Sequence, residues 1–268
     1  MVAEPREGFM KSGGYKIHYL LWGATGPKLV FIHSMGMDAR GFDITCRALQ
    51  PDYQILALDI LDHGDTETPN EPVGLQDLSG VMRGCYTQLG FVPTVLVGHS
   101  VGGMIGMVLA AEHPEDFKGL VLVDIAPFER TGARSRPPQP EFFEDEAKAR
   151  EYLRQRYPDF TEEALENRVK YGLKKDEKGR LKRKPQGEAV RGGLDTDLWP
   201  YVERIRAPVL MTIGGTSTLV TPETLKRMKA SIPVLKAITV EGVGHMVPQG
   251  KPEEFEAHLR AFLQELKL

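Results

Sequence analysis

Five short runs of nearly unbroken apolar residues constrain this chain more than anything else in it: KLVFIH (28–33), QILALDI (54–60), TVLVGH (94–99), LVLVDIAP (120–127) and PVLMTIGG (208–215). A strand with one wet face alternates apolar with polar side chains, whereas a strand covered on both faces does not. The runs therefore predict a sheet buried on both sides. The longer helix-period segments between them predict the covering layers, so the fold class is α/β with a mostly parallel sheet and helices on both faces. YKIHYLLWG (15–23) does alternate and stops at Gly23, as suits a strand near the sheet edge. VLKAITVEG (234–242) adds a further strand, and EEFEAHLRAFLQEL (253–266) reads as an amphipathic closing helix.

Residues 128–200 break this rhythm. They open with the proline-rich RTGARSRPPQP and continue with two charged helices, expected over about 141–157 and 161–172, the second with Asp159 and Glu162 at capping-box spacing. KKDEKGRLKRKP (174–185) has the form of a hairpin with Lys178-Gly179 at its tip. Strand-type sequence resumes at Pro208, so the expected organisation is a core of residues 1–127 and 201–268 with 128–200 inserted as a lid.

Composition removes several functional classes. A formal net charge of −3 supplies no field for nucleic acid or an anionic membrane. No apolar run has the length of a bilayer span, and the first residues, MVAEPREGFMKSGG, lack a signal-like apolar core. Cys46 and Cys85 are the only cysteines, far apart and without metal-site spacing, which predicts two buried thiols, a cytoplasmic location and no metal. No feature reports on oligomeric state.

The chemistry-bearing signal is Gly98-His99-Ser100-Val101-Gly102, a G-x-S-x-G directly after a strand run and before the helical VGGMIGMVLAAEHP (101–114). A serine on a sharp strand-to-helix turn needs small neighbours, and the helix N-terminus behind it favours developing negative charge. With this context the chain resembles the α/β-hydrolase fold superfamily over nearly all its length outside residues 128–200. His33-Ser34 resembles the family's His-Gly. Asp59 with Asp62-His63-Gly64-Asp65-Thr66 resembles its Asp-x-x-Gly-x-Gly-x-Ser, with Asp62 and Thr66 as departures. Gly242-Val243-Gly244-His245 resembles its approach to the catalytic histidine. The resemblance implies an eight-stranded sheet, Ser100 as nucleophile and His245 as general base. It also implies oxyanion donors at the Met35 and Val101 N–H groups, and no cofactor. Ser34 stands where the family has glycine. The other histidines read as scaffold, with His33 bracing the oxyanion loop, His99 packing in the elbow and His63 structural.

The acid departs from the pattern. The family's seventh strand leads to an acid in a segment resembling G-x-x-D-x-V-x-P, and the matching stretch from Gly215 to Pro222 puts Thr218 in that slot. Threonine has no charge with which to hold an imidazolium. Some branches of the superfamily take their acid from the end of the sixth strand at about this separation from the nucleophile, and this resemblance makes Asp124, ending the run LVLVD 24 residues after Ser100, the expected replacement, ahead of Glu223 and Glu241. The alternative for Asp124 is a brace at the entry to the insertion.

Ser34, Met35, Phe128, Trp199 and Met246 are the expected pocket residues, methionine being suited to a yielding acyl site. Met104 and Met107 read as core, and the basic hairpin as a solvated face. The expected activity is hydrolysis of a small-molecule carboxylic ester through an acyl-enzyme. Carbon–carbon, lactone or thioester hydrolysis on the same triad, or slow ligand binding without turnover, are the alternatives. A serine nucleophile argues against the dehalogenase and epoxide-hydrolase chemistries, whose related enzymes use aspartate.

Overall fold

The computed structural model describes residues 4–127, 139–190 and 194–268. Each apolar run forms a strand whose side chains alternate between two cores. In β3 (Lys28–Ile32), Val30 and Ile32 enter one apolar cluster while Leu29 and Phe31 enter the other. The same alternation runs through β5 (Thr94–His99) and β6 (Phe117–Val123), where Leu96, Leu120 and Leu122 face the first cluster and Val95, Val97, Val121 and Val123 the second. Both faces are covered. Helices α2 (Leu75–Gln88) and α3 (Val101–Glu112) contribute to the first cluster, α1 (Asp43–Leu49) and the closing helix Pro252–Glu265 to the second. Continuous apolarity with period-2 division is what a strand buried on both faces requires.

Eight strands form the main sheet. β1 (Arg6–Ser12) lies at one edge, followed by β2 (Tyr15–Trp22), β4 (Gln54–Leu58), β3, β5, β6, β10 (Val209–Gly214) and β11 (Leu235–Val240). β2 is antiparallel to both its neighbours, and every other pairing is parallel. β1 is absent from the sequence reading because its short run of mixed side chains carries little periodicity.

The order β4-β3-β5 is what positions the site. From β3 the chain goes to one side to form β4 and then returns to the other side for β5, so the loops after β3 and β5 diverge at a switch point. Ile32 pairs with Gly98, His99 with Val123, Val123 with Thr212, and Gly214 with Val240, which brings the carboxyl ends of five strands to one edge.

Between β6 and β10 the described part of the chain holds α4 (Glu146–Arg156), α5 (Glu162–Gly172) and a second sheet in which β9 (Leu181–Arg183) lies between β7 (Phe142–Phe143) and β8 (Leu173–Lys175). The hairpin is present, with Gly179 at φ 76° near its tip. Two expectations need correction. α4 starts at Glu146, not near 141, because Phe142 and Phe143 are extended against β9 and Asp145 caps the helix by accepting from the Lys148 N–H. α5 is capped by Thr161, whose hydroxyl accepts from the Ala164 N–H; Asp159 accepts instead from the Gly244 N–H at 3.0 Å. Cys46 and Cys85 are both free and buried, and burial pushes the Cys85 thiol up to about 12. Among the described residues no helix is long and apolar enough to cross a membrane.

Candidate active site

Ser100 stands between β5 and α3 at φ 53° and ψ −114°, a conformation side chains rarely adopt. The two glycines of the motif make it possible. A Cβ on Gly98 would collide with the Gly102 carbonyl, and one on Gly102 with the Ile32 carbonyl at the end of β3. The elbow is thus packed directly against the strand that leads to Met35.

The loop after β3 forms a turn in which the Met37 N–H donates to the Ser34 carbonyl at 3.0 Å, with Gly36 at φ 81°. Two buried histidines hold it. His33 donates through Nδ1 to the Ser34 carbonyl at 2.8 Å and accepts the Ile60 N–H on Nε2 at 3.0 Å. His63 donates through Nδ1 to the Leu61 carbonyl and accepts the Gly36 N–H on Nε2 at 3.1 Å. Each ring must stay neutral to accept. Burial lowers the pKa of both, that of His63 to about 4. Among the described residues the bonds of turn and elbow use the Met37 and Gly103 N–H groups, leaving those of Met35 and Val101 unused. Ser34 is buried, and its hydroxyl has no partner among the described residues.

Asp124 directly follows β6, at φ 45° and fully buried. Its Oδ2 accepts from His245 Nδ1 at 2.7 Å and from the Ser217 hydroxyl at 2.6 Å; its Oδ1 accepts from the Gly214 N–H at 3.0 Å. Three donors on a dry carboxylate fix its plane. Thr218, in the family's acid position, adjoins the residue that serves Asp124. With Nδ1–H given to Asp124, the other ring nitrogen of His245, Nε2, carries the free lone pair.

His99 joins the loop that carries His245 to the turn that carries Ser100. Its Nε2 donates to the His245 carbonyl at 2.8 Å and the two rings lie 4.8 Å apart, so the residue before Ser100 holds the backbone of His245. Burial, with the His245 ring beside it, lowers the pKa of His99 and keeps this donor neutral.

The expected pocket residues divide. Met35 and half-buried Trp199 pack on the core cluster that includes Val101 and the buried Met104 and Met107. Trp199 opens α6 (Trp199–Val202) beneath the Arg227 guanidinium. Met246 lies elsewhere, with Met37, against Leu153 of α4, Leu165 of α5 and Phe160 between them. Phe128 lies outside the described residues. The sequence reading missed Ser217, Asp38 and Arg168. Arg168 alone left a trace, falling on the apolar stripe of α5 with Ala164 and Leu165, where a charge needs a buried partner.

Residues 29–258 match the model of the Alpha/beta hydrolase family, and the chain belongs to that family. Among its relatives is the sn-1-specific diacylglycerol lipase ABHD11 of Mus musculus, 30% identical over 90% of this chain and 82% of that protein. The 2-(acetamidomethylene)succinate hydrolase of Mesorhizobium japonicum is 27% identical over 85% of each. The same fold is seen in the crystal structure of E-2-(acetamidomethylene)succinate hydrolase, with a TM-score of 0.87 at 24% identity over 97% of this chain and all of that one. A thioesterase domain from the curacin biosynthetic pathway shares it with a TM-score of 0.82 at 21% identity, over 96% and 100%.

Proposed function

We propose that the protein hydrolyses a small or medium carboxylic ester through an acyl-enzyme, with Ser100 as nucleophile, His245 as base and Asp124 as the acid that orients it. The observation that carries this reading is the 2.7 Å bond from His245 Nδ1 to the buried Asp124 carboxylate, at the sheet edge where Ser100 also lies.

His245 Nε2 takes the Ser100 proton as Oγ attacks the acyl carbon. The carbonyl electron pair moves onto oxygen, where the Met35 and Val101 N–H groups receive it. Collapse expels the alcohol with the proton returned from His245. Water then attacks the acyl-enzyme by the same proton path, releasing the acid and restoring Ser100. The described residues of the insertion, 139–190, act as a lid over this edge, since Asp159 among them accepts from the Gly244 N–H next to His245.

An ester is favoured because the Mus musculus relative is named for a lipase activity. Carbon–carbon, lactone and thioester hydrolysis would use the same groups. An inert binding pocket would rest on the departures at Thr218 and Ser34, and the carboxylate bonded to His245 counts against the first of them.

The test is initial rates on p-nitrophenyl butyrate for wild type, Ser100→Ala and Asp124→Asn. Wild type should turn over and both variants collapse, the asparagine form by up to about 10⁴-fold. A wild-type rate that survives Ser100→Ala sinks the proposal, and retained activity in Asp124→Asn removes Asp124 from the triad.

A further inference from the structure

The inserted segment reaches the turn that carries Met35 from two directions. Arg168 of α5 is buried; its Nη1 donates to Asp38 Oδ2 at 2.6 Å and its Nη2 to the Gly36 carbonyl at 2.6 Å. Asp38 is buried too, and its Oδ1 accepts the Arg40 N–H to cap the 3-10 turn Ala39–Phe42. On the other side the Gly36 N–H is held by His63. That histidine lies under residues 185–189 of the insertion. The Gly187 N–H donates to the Asp62 carbonyl at 2.7 Å, the Ala189 N–H to Asp62 Oδ2 at 2.7 Å, and Gln186 pairs with His63 as an isolated bridge. A Cβ on Gly187 would strike both the His63 ring and the Met35 sulfur.

Both polar groups of Gly36 are therefore anchored, one directly and one indirectly, by residues within 139–190, a stretch that carries none of Ser100, His245 and Asp124. A guanidinium held in the dry interior by two partners is costly unless both are kept, and a forked donor fixes direction as well as distance. The peptide so fixed follows Met35, whose own N–H is unused among the described residues.

We infer that Arg168 is a positioning residue: the inserted segment, through its guanidinium, sets the direction of the Met35 N–H and so the strength of the oxyanion hole. This rests on the hydrolase reading above. Arg168 touches no reacting atom; its effect is to hold a donor where charge develops only in the transition state, and so it bears on kcat more than on KM.

The test compares wild type, Arg168→Met, the double variant Arg168→Met/Asp38→Asn and, as a control on the same insertion, Arg150→Met, whose native partner is the exposed Glu162. The double variant removes both buried charges, keeps a capping side chain at position 38, and answers the case in which Arg168→Met alone fails to fold. On p-nitrophenyl butyrate its kcat should fall about 10- to 100-fold, less than the cost of deleting an oxyanion donor outright, with KM within about twofold. Inhibition by a phenylboronic acid, which binds a serine nucleophile as a tetrahedral anion, should weaken by a similar factor, while Arg150→Met matches wild type. A folded double variant with unchanged kcat overturns the inference. So does a fall in kcat that leaves boronate inhibition untouched, since the defect would then lie outside the oxyanion hole. If the wild type itself lacks Ser100-dependent turnover, the hydrolase reading fails first and this one with it.

Discussion

Asp124 is held at φ 45°, where a non-glycine residue is strained, and its carboxylate is fully buried. Such a conformation persists only when its surroundings impose it, and here the Gly214 N–H, the Ser217 hydroxyl and His245 do so. Ser217→Ala should leave two of the three donors in place. The expected loss in kcat/KM is about tenfold, as for one hydrogen bond to a charged group, far short of the loss for Asp124→Asn. A loss in Ser217→Ala as large as that of Asp124→Asn, or none at all, would count against Ser217 acting as one of three supports of the carboxylate. Asp124 could be singled out from the sequence by the threonine at 218. Ser217 could not, because one more serine in Gly-Gly-Thr-Ser-Thr has no distinguishing context.

The elbow is an element whose local sequence and tertiary setting demand the same thing. Gly98 and Gly102 leave no room for a methyl group, the second because α3 starts against the Ile32 carbonyl. Gly102→Ala must push α3 away from β3. The cost should be about 2 kcal/mol or more, a fall in melting temperature of roughly 4–8 °C, and fluorophosphonate labelling of Ser100 should slow alongside it. A variant that melts and labels like wild type would show that the elbow has slack. On α5, Thr161→Ala removes the side-chain acceptor for the Ala164 N–H and should cost about 1 kcal/mol in chemical denaturation. Asp159→Ala should cost the helix nothing as a cap. It should instead loosen the His245 loop, read as faster exchange of the Gly244 amide, because Asp159 binds that N–H.

At the scale of the whole molecule, the buried histidines couple acid to unfolding. Burial lowers the pKa of His63 from 6.5 to about 4. Between those values the unfolded chain takes a proton that the folded one refuses, so stability is full above about pH 6.5 and is lost as pH falls through this window. The contribution is roughly 3 kcal/mol at most, at about 1.4 kcal/mol per pH unit. His18 runs the other way. Burial opposes its charge, but Asp59 and Glu7, bonded to its two ring nitrogens, raise its pKa overall. It stabilises below the unfolded value and loses that contribution as pH rises through the folded one. Urea midpoints at pH 7 and 4.5 should differ less in His63→Gln than in wild type, and equal differences would clear His63 of the acid sensitivity.

What the chain determined by itself is local: five strands whose apolarity demands cover on both faces, an elbow whose glycines permit one backbone shape, and a serine and histidine in the family's order. Patterns of this kind arise within a few residues, from pleat, period and steric exclusion, and remain legible in one dimension. Tertiary structure decided what joins distant segments. The partner of His245 lies 121 residues away, and Arg168 meets Gly36 across 132. The sequence offered Asp124 as a candidate for the first pairing without a contact to hold it there, and it offered no sign of the second. The strand order β4-β3-β5-β6-β10 sets the first by bringing those ends to one edge, and the packing of α5 over the turn sets the second.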